Sequence, residues 1–253
     1  MLTKLIVASA NLAVLAAAVP TAKRDITAAL PANADEIEMK FQPLLDFDTD
    51  GCYNTAAIDA AGNLNSGTHI FTHNPDADCR THELENTNAY SRRRCNNGYC
   101  GIMYEYYFEK DQSVIGSGHV HEWENVIVFT RGDEIIRVAP SCHGGYPNPR
   151  NSDFLTDGTH VQIVYHKEGG STHCFRFATG EDVAGVENVT GAFHSAPLVG
   201  WWGYPSVELR DKMLNNWSGG IGPKFDGDFE AALRDAAGDA VPGFDLAVDE
   251  VVP

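Results

Sequence analysis

The chain has 253 residues, 43% hydrophobic and 21% charged, enough to bury one substantial core and a length for which one domain is the default. With 35 acidic residues against 18 basic, the formal net charge is -17. That balance argues against nucleic acid as a partner, because phosphate binding needs a basic footprint, and against direct adsorption to anionic lipid. It suits divalent cations, or a membrane approached through one.

Lys4 followed by the apolar stretch from Leu5 to Val19, ending in Ala16, Ala17 and Ala18, has the order of a secretory signal peptide, placed at residues 1–18. It is too short and wrongly flanked for a spanning helix. Lys23-Arg24 offers a dibasic processing site, residues 19–45 read as a pro-region or lead-in, 46–240 as the domain, and 241–253 as a tail. No later segment is apolar enough to cross a bilayer, and the carboxyl end carries no hydrophobic tail for a lipid anchor. The expectation is a secreted, extracellular monomer without an integral membrane segment.

A loop-rich stretch runs to about Tyr99, punctuated by Gly51, Gly62, Gly67, Asn74-Pro75 and Asn97-Gly98. Ile102 to Phe108 reads as a buried aromatic strand. Asn125–Thr130 and Glu134–Ala139 read as a hairpin across Arg131-Gly132-Asp133, and His160–His166 and Thr172–Ala178 as a pair across Glu168-Gly169-Gly170. Two helices follow. Pro205-Ser206 opens the first, with Leu209, Met213 and Trp217 on one face; Asp226 caps the second, where Phe229, Ala232, Leu233 and Ala236 repeat at helical spacing. Many short strands with helices gathered late predict a mainly β (α+β) fold, a central β-sandwich with peripheral helices.

Six cysteines in the exported part suggest three disulfides. Sequence leaves several pairings open; joining neighbours along the chain gives Cys52–Cys79, Cys95–Cys100 and Cys142–Cys174. The rival is a zinc site at Cys95 and Cys100, weakened by the lack of a second close ligand pair. Asn188-Val-Thr and Asn216-Trp-Ser are glycosylation sequons consistent with export.

The densest chemistry is Gly118-His119-Val120-His121-Glu122-Trp123-Glu124. It reads either as a polar turn leading into a strand or as a metal site. In an ideal strand His119 and His121 face one way and Glu122 and Glu124 the other, so one ion gathers both sets only if Gly116 and Gly118 permit a bend or bulge. Carboxylates with an imidazole favour a harder cation, magnesium, calcium or manganese, over structural zinc.

Gly101-Ile102-Met103-Tyr104-Glu105-Tyr106-Tyr107-Phe108-Glu109-Lys110-Asp111 followed by GHVHEWE resembles the paired signature of the necrosis- and ethylene-inducing peptide-like proteins, whose central motif reads GHRHDWE. Pro140-Ser141-Cys142-His143-Gly144-Gly145-Tyr146 looks like the family's PSxHxGY segment, and the extra cysteines resemble those of its cysteine-richer fungal branch. The resemblance covers roughly residues 45–237. It implies a sandwich similar to actinoporins and some lectins. It also implies a divalent cation (magnesium or calcium) at the base of a cavity, and recognition of the sugar head of plant glycosyl inositol phosphoryl ceramide, with membrane damage and immune triggering to follow. Carried over, the cation ligands are Asp111, His119, Glu122 and Glu124; His121 orients its neighbours, and His143 and His173 line the cavity. No covalent chemistry is needed, so the expectation is a toxin and not an enzyme.

The departures matter. Val120 replaces the motif's arginine, removing a fork of donors, and Glu122 replaces its aspartate, pushing the carboxylate outward by about one bond length against tolerances of a few tenths of an ångström. Toxic members carry a membrane-facing tryptophan on the loop before the strand holding His173. Glu168-Gly169-Gly170-Ser171 has no aromatic, which opens the alternative of a non-cytolytic member sensed as an immune pattern. A further alternative is a secreted metal-dependent polysaccharide hydrolase or lyase with Glu122 and Glu124 as acid and base, against which stands the lack of any nucleophile constellation. Asp46-Phe47-Asp48-Thr49-Asp50-Gly51 resembles the start of an EF-hand loop, but position twelve is Ala57, so a disordered acidic turn is favoured. Trp201-Trp202 reads as packing in preference to a sugar-stacking or membrane patch.

Overall fold

The run Ile102–Phe108 is apolar or aromatic at every position but Glu105, the pattern of a strand covered on both faces. A computed structural model, describing residues 26–81, 84–170, 172–217 and 219–250, shows what covers it. The leader and dibasic pair lie outside the described residues.

The strands are β1 (Leu44–Phe47), β2 (Ala89–Asn96), β3 (Tyr99–Asp111), β4 (His119–Arg131), β5 (Glu134–Pro140), β6 (Thr156–Asp157), β7 (His160–Glu168), β8 (Thr172–Phe177) and β9 (Leu198–Gly200). The helices are α1 (Glu36–Lys40), α2 (Pro75–Asp78), α3 (Gly180–Ala184), α4 (Val207–Asn215) and α5 (Phe229–Ala237). One sheet has the order β5-β4-β3-β2-β9; the other joins β1, β7 and β6, with β8 also paired to β7. The large sheet is antiparallel except at β2–β9, and β1 runs parallel to β7.

Strand β3 sits at the centre of the large sheet. Ile102, Tyr104, Tyr106 and Phe108 pack with Phe47, Ile163, Tyr165 and Phe175 in the core between the sheets. Met103 and Tyr107 face the helical layer with Leu209, Met213, Phe229, Leu233 and Ala236. Each such burial contributes about 1.5–3 kcal/mol, so the alternating pattern of both strand faces fixes the register. The result is a β-sandwich with helices on the outer face of its larger sheet.

Elements extend beyond the apolar runs that signal them. Strand β3 continues to Asp111, and β4 begins at His119, so the histidine–glutamate motif is strand and not a turn. Backbone pairing is indifferent to side-chain polarity, which is why an apolar pattern underestimates both. Asn97 and Gly98 both take positive φ, making the tight turn that sets Cys95 opposite Cys100. Disulfides join Cys52 to Cys79, Cys95 to Cys100 and Cys142 to Cys174, which removes the zinc-ligand reading of Cys95 and Cys100. Ser206 accepts the Leu209 N–H at 3.1 Å at the start of α4, but the helix ends before Trp217. Asp228, not Asp226, occupies the N-cap position of α5.

The flanks contribute to the core as well. The stretch read as a lead-in buries Leu30, Phe41 and Leu45, and α1 is capped where Glu38 accepts the Asp35 N–H at 3.0 Å. The stretch read as a tail buries Val241, and Asn96 donates to the carbonyls of Asp245 and Val248 at 2.6 and 2.7 Å. Both carry apolar side chains that the domain core absorbs.

Candidate metal centre

The β3–β4 hairpin places Asp111 directly opposite His119. Its connection closes tightly at Gly118, whose φ is +93° and where a Cβ would stand 2.0 Å from the Asp111 carbonyl oxygen. Only glycine fits there.

The bend that brings both strand faces together comes from another residue. His121 has a φ of +63° inside β4, a left-handed conformation costing about 1–3 kcal/mol for a non-glycine residue. It resets the alternation. The His119 ring falls on the side of Glu122, with Nε2 3.1 Å from Glu122 Oε2. The His121 ring turns away, its Nδ1 2.7 Å from the Tyr107 hydroxyl and its plane edge-on to Trp217. Burial, then His119, lowers the His121 pKa. His121 is thus an aromatic-cluster residue on the far face, and its left-handed backbone adds to the turn that Gly116 and Gly118, both at positive φ, already make.

Asp111, His119 and Glu122 offer ligand atoms that all lie within 4.8 Å of one another. The His119 Nδ1–H donates to the His121 carbonyl at 2.8 Å, leaving the Nε2 lone pair turned toward the carboxylates. Side-chain exposure grades from 2% at Asp111 through 16% at Glu122 to 38% at His119, so the cluster opens to solvent on one side. Glu122 Oε1 accepts the Trp123 N–H at 2.8 Å, which folds the longer side chain back on itself. The extra methylene relative to aspartate is absorbed in that curl. Val120, where the motif has arginine, packs its Cγ1 against Gly67.

Asp111 is oriented from the other sheet. The His173 backbone N–H donates to both Asp111 oxygens at 2.8 and 3.0 Å, and the His173 ring Nδ1 lies 2.9 Å from Oδ1. The other ring nitrogen lies 3.2 Å from Asp50 Oδ1. Burial works against a charge on His173, but Asp111 and Asp50 outweigh it and its pKa lies above the ordinary value. His173 therefore steers a candidate ligand from behind. Asp50 was missed in the sequence, although it belongs to the acidic segment set aside as a disordered turn. That segment is ordered: Asp46 is buried and accepts the Glu187 and Asn188 N–H groups.

Glu124 stands apart from the three converging groups. Its carboxylate accepts a short bond from the Ser141 hydroxyl, while Ser141 Oγ accepts the Asn125 N–H at 2.8 Å. The sequence motif contained Ser141 but gave no sign of its role. Burial, then Glu124 and Asp111, pushes Glu122 up to about 9; burial, with Asp111 contributing, pushes Glu124 up to about 8. Tyr165, whose pKa is raised by burial and by Asp111, Glu122 and Glu124, faces the same carboxylates. Close carboxylates beside one imidazole fit a hard divalent cation: it would offset the burial and the mutual repulsion that raise the Glu122 and Glu124 carboxyls.

His143 is not brought to this cluster. It sits exposed in the Cys142–Gly145 turn and lines a separate groove with Arg150 and His166. The apparent groupings of Cys142, His143 and Cys174, and of His166, Glu168 and Cys174, lose their sulfurs to the disulfide. Asn188 is also corrected: it is buried, with its amide nitrogen donating to the Leu45 and Ala192 carbonyls at 2.8 and 3.0 Å, so that sequon is closed in the folded chain. Asn216 is exposed. Trp201 packs between Arg92 and Arg210, each 4.0 Å from its ring centroid, while Trp202 is left exposed.

Fold and site together define a β-sandwich protein with a carboxylate–imidazole cluster at one sheet end. Residues 35–236 match the family model described as necrosis inducing protein (NPP1). NLP effector protein 10 of Phytophthora capsici is 30% identical over 206 residues, covering 78% of this chain and 81% of that protein. Necrosis-inducing protein NPP1 of Phytophthora nicotianae is 35% identical over 174 residues, covering 65% and 72%. The solved structure of NLPPya in complex with mannosamine superposes with a TM-score of 0.70 at 28% identity, covering 83% of this chain and 95% of that one. The chain belongs to the necrosis-inducing protein (NPP1) family. The two sequence relatives are Phytophthora proteins and give the expected fungal branch no support. Among the described residues no helix is long and apolar enough to cross a membrane.

Proposed function

We propose that this chain is a secreted necrosis-inducing protein that binds the sugar head of plant glycosyl inositol phosphoryl ceramide through a divalent cation, magnesium or calcium, and so perturbs the membrane without catalysing a reaction. The observation that carries this reading is the convergence of Asp111, His119 and Glu122. In it, those three side chains hold the ion, His173 fixes Asp111, and Glu124 with Ser141 supplies negative charge and support from behind. An ion held by so few protein ligands keeps positions that sugar hydroxyls take up. The amino sugar bound by NLPPya agrees with a glycan head group as ligand. A positive contact of this kind lets a strongly acidic protein meet an anionic lipid head group.

A non-cytolytic variant of this function is favoured by one feature: Glu168, Gly169 and Gly170 at the β7–β8 turn include no aromatic residue. The experiment is sedimentation with vesicles containing the plant glycolipid, with and without calcium or magnesium. Cation-dependent binding supports the reading; binding unchanged by chelator refutes it. Leakage of the same vesicles separates toxin from binder, and release of reducing sugar from wall polysaccharide would mark an enzyme instead.

A further inference from the structure

Two loops beside the candidate cation site carry apolar side chains with no cover. Phe71 is 79% exposed and Ile115 69%, the two highest values among the large hydrophobic residues described, and Val114 beside Ile115 is 43% exposed. Water-facing side chains of this size are worth explaining when they cluster near a site.

Chain connectivity ties them to the ion ligands. Val114 and Ile115 lie in the connection between Asp111 and His119. Phe71 is brought in by backbone bonding: Gly116 N–H donates to the Ile70 carbonyl at 2.9 Å, and the Gln112 amide donates to the same oxygen. Further back, Thr68 N–H donates to the Glu109 carbonyl at 3.0 Å, and the buried Lys110 ammonium donates to the Thr72 carbonyl at 3.0 Å and to Asp78 at 2.8 Å. Both loops are thus bonded to the last residues of β3, immediately before Asp111. The apolar side chains are held out by structure and do not hang on loose ends.

Charge gives an independent indication of what meets them. In a chain with 35 acidic residues, 60–75 and 112–121 contain no Asp, Glu, Lys or Arg. The nearest acids are Asp76 and Asp78, the latter paired with Lys110 and Thr72, and the carboxylates of the candidate site itself, which an ion would neutralise. The β7–β8 turn next to His173, with Glu168, Gly169 and Gly170, offers no apolar side chain of its own.

We infer that Phe71, Val114 and Ile115 form a preformed lipid-contact surface that enters the bilayer interface when the neighbouring ion engages a head group. This rests on the cation and head-group reading above. The occupant is a lipid surface, because the patch adjoins along the chain the residues that take the head group, and Phe71, Val114 and Ile115 carry no charge of their own that would have to be desolvated. Its position makes the missing aromatic of the β7–β8 turn dispensable for membrane contact.

The test uses the full secreted chain and the variant Phe71→Ser with Ile115→Ser. Both side chains are exposed, so the fold is retained, which thermal unfolding checks. Calcium binding is read by titration calorimetry, and partitioning by sedimentation onto phosphatidylcholine vesicles containing plant glycosyl inositol phosphoryl ceramide. The expected result is calcium affinity unchanged within twofold and vesicle partitioning at least tenfold weaker, restored by Phe71→Leu with Ile115→Leu. Equal partitioning of variant and wild type overturns this inference alone and leaves the cation reading standing. A wild type that binds neither calcium nor vesicles overturns both. A wild-type dimer in solution that the serine variant abolishes, seen by sedimentation velocity, assigns the patch to a second copy and also overturns the inference.

Discussion

On the proposed function, an ion entering this cluster would have to displace protons, and the consequence is measurable. Glu122 has its pKa pushed up to about 9 by burial and by Glu124 and Asp111. At pH 7 that carboxyl is therefore about 1% ionised, and an ion entering the site must release its proton, at about 1.4 kcal/mol for each pH unit below the pKa. Affinity is expected to rise about tenfold per pH unit between pH 7 and 9, and to flatten above. Calorimetric titration of calcium or magnesium in buffers of different ionisation enthalpy reads the proton count directly: close to one released at pH 7 from Glu122, with a further contribution from Glu124, whose pKa is about 8. The same raised carboxyl sets the stability of the ion-free protein. A folded pKa above the ordinary 4.5 means stability is fullest below about pH 4.5 and is lost as pH rises toward 9, so added cation protects most at alkaline pH. Glu122→Gln should remove the Glu122 share of proton release and leave only the shallower pH slope that Glu124 supplies. Affinity that is flat across pH 6–9 with no proton uptake or release would show that Glu122 is not a ligand.

Removing His173 frees Asp111 from its ring partner while the backbone bonds remain, so His173→Ala should weaken cation affinity about 10- to 100-fold, with Asp50→Asn giving a smaller loss; an affinity change under twofold would leave His173 a packing residue only. Gly118→Ala forces a Cβ onto the Asp111 carbonyl and a left-handed backbone on alanine, and should lower the midpoint of thermal unfolding and cation affinity together, whereas Gly116→Ala, with open space around it, should act through backbone strain alone and leave affinity closer to wild type. Expressed through a eukaryotic secretory route, the protein should carry glycan only at Asn216: mass spectrometry should show a loss of mass for Asn216→Gln and none for Asn188→Gln, because the Asn188 amide is buried and bonded.

The parts of this fold legible in the sequence were those where side-chain pattern and backbone agree. The aromatic run of β3, the Asn97-Gly98 turn and the spacing of Phe229, Ala232, Leu233 and Ala236 each carry their own local signal. What stayed hidden depends on backbone geometry or on distant chain. Alternation put His119 and His121 on one face, and nothing local in their identity announces a left-handed residue at 121. The partners of the cluster come from far along the chain: His173 and Asp50 from the opposite sheet's side, and Ser141 from beyond β5. For the same reason Glu124 looked equivalent to Glu122, although a hydroxyl 17 residues away holds it apart. Short apolar segments such as those of Leu30 and Phe41 show no period, so that only the core they fill reveals their burial.

Locating the ion is the most direct test of the proposed site. Crystals grown with manganese, measured at the manganese absorption edge, should show one anomalous peak within coordinating distance of Asp111, His119 and Glu122, with Glu124 still bonded to Ser141. A peak bound elsewhere on the acidic surface, or no peak at an occupied-site concentration of manganese, would contradict it.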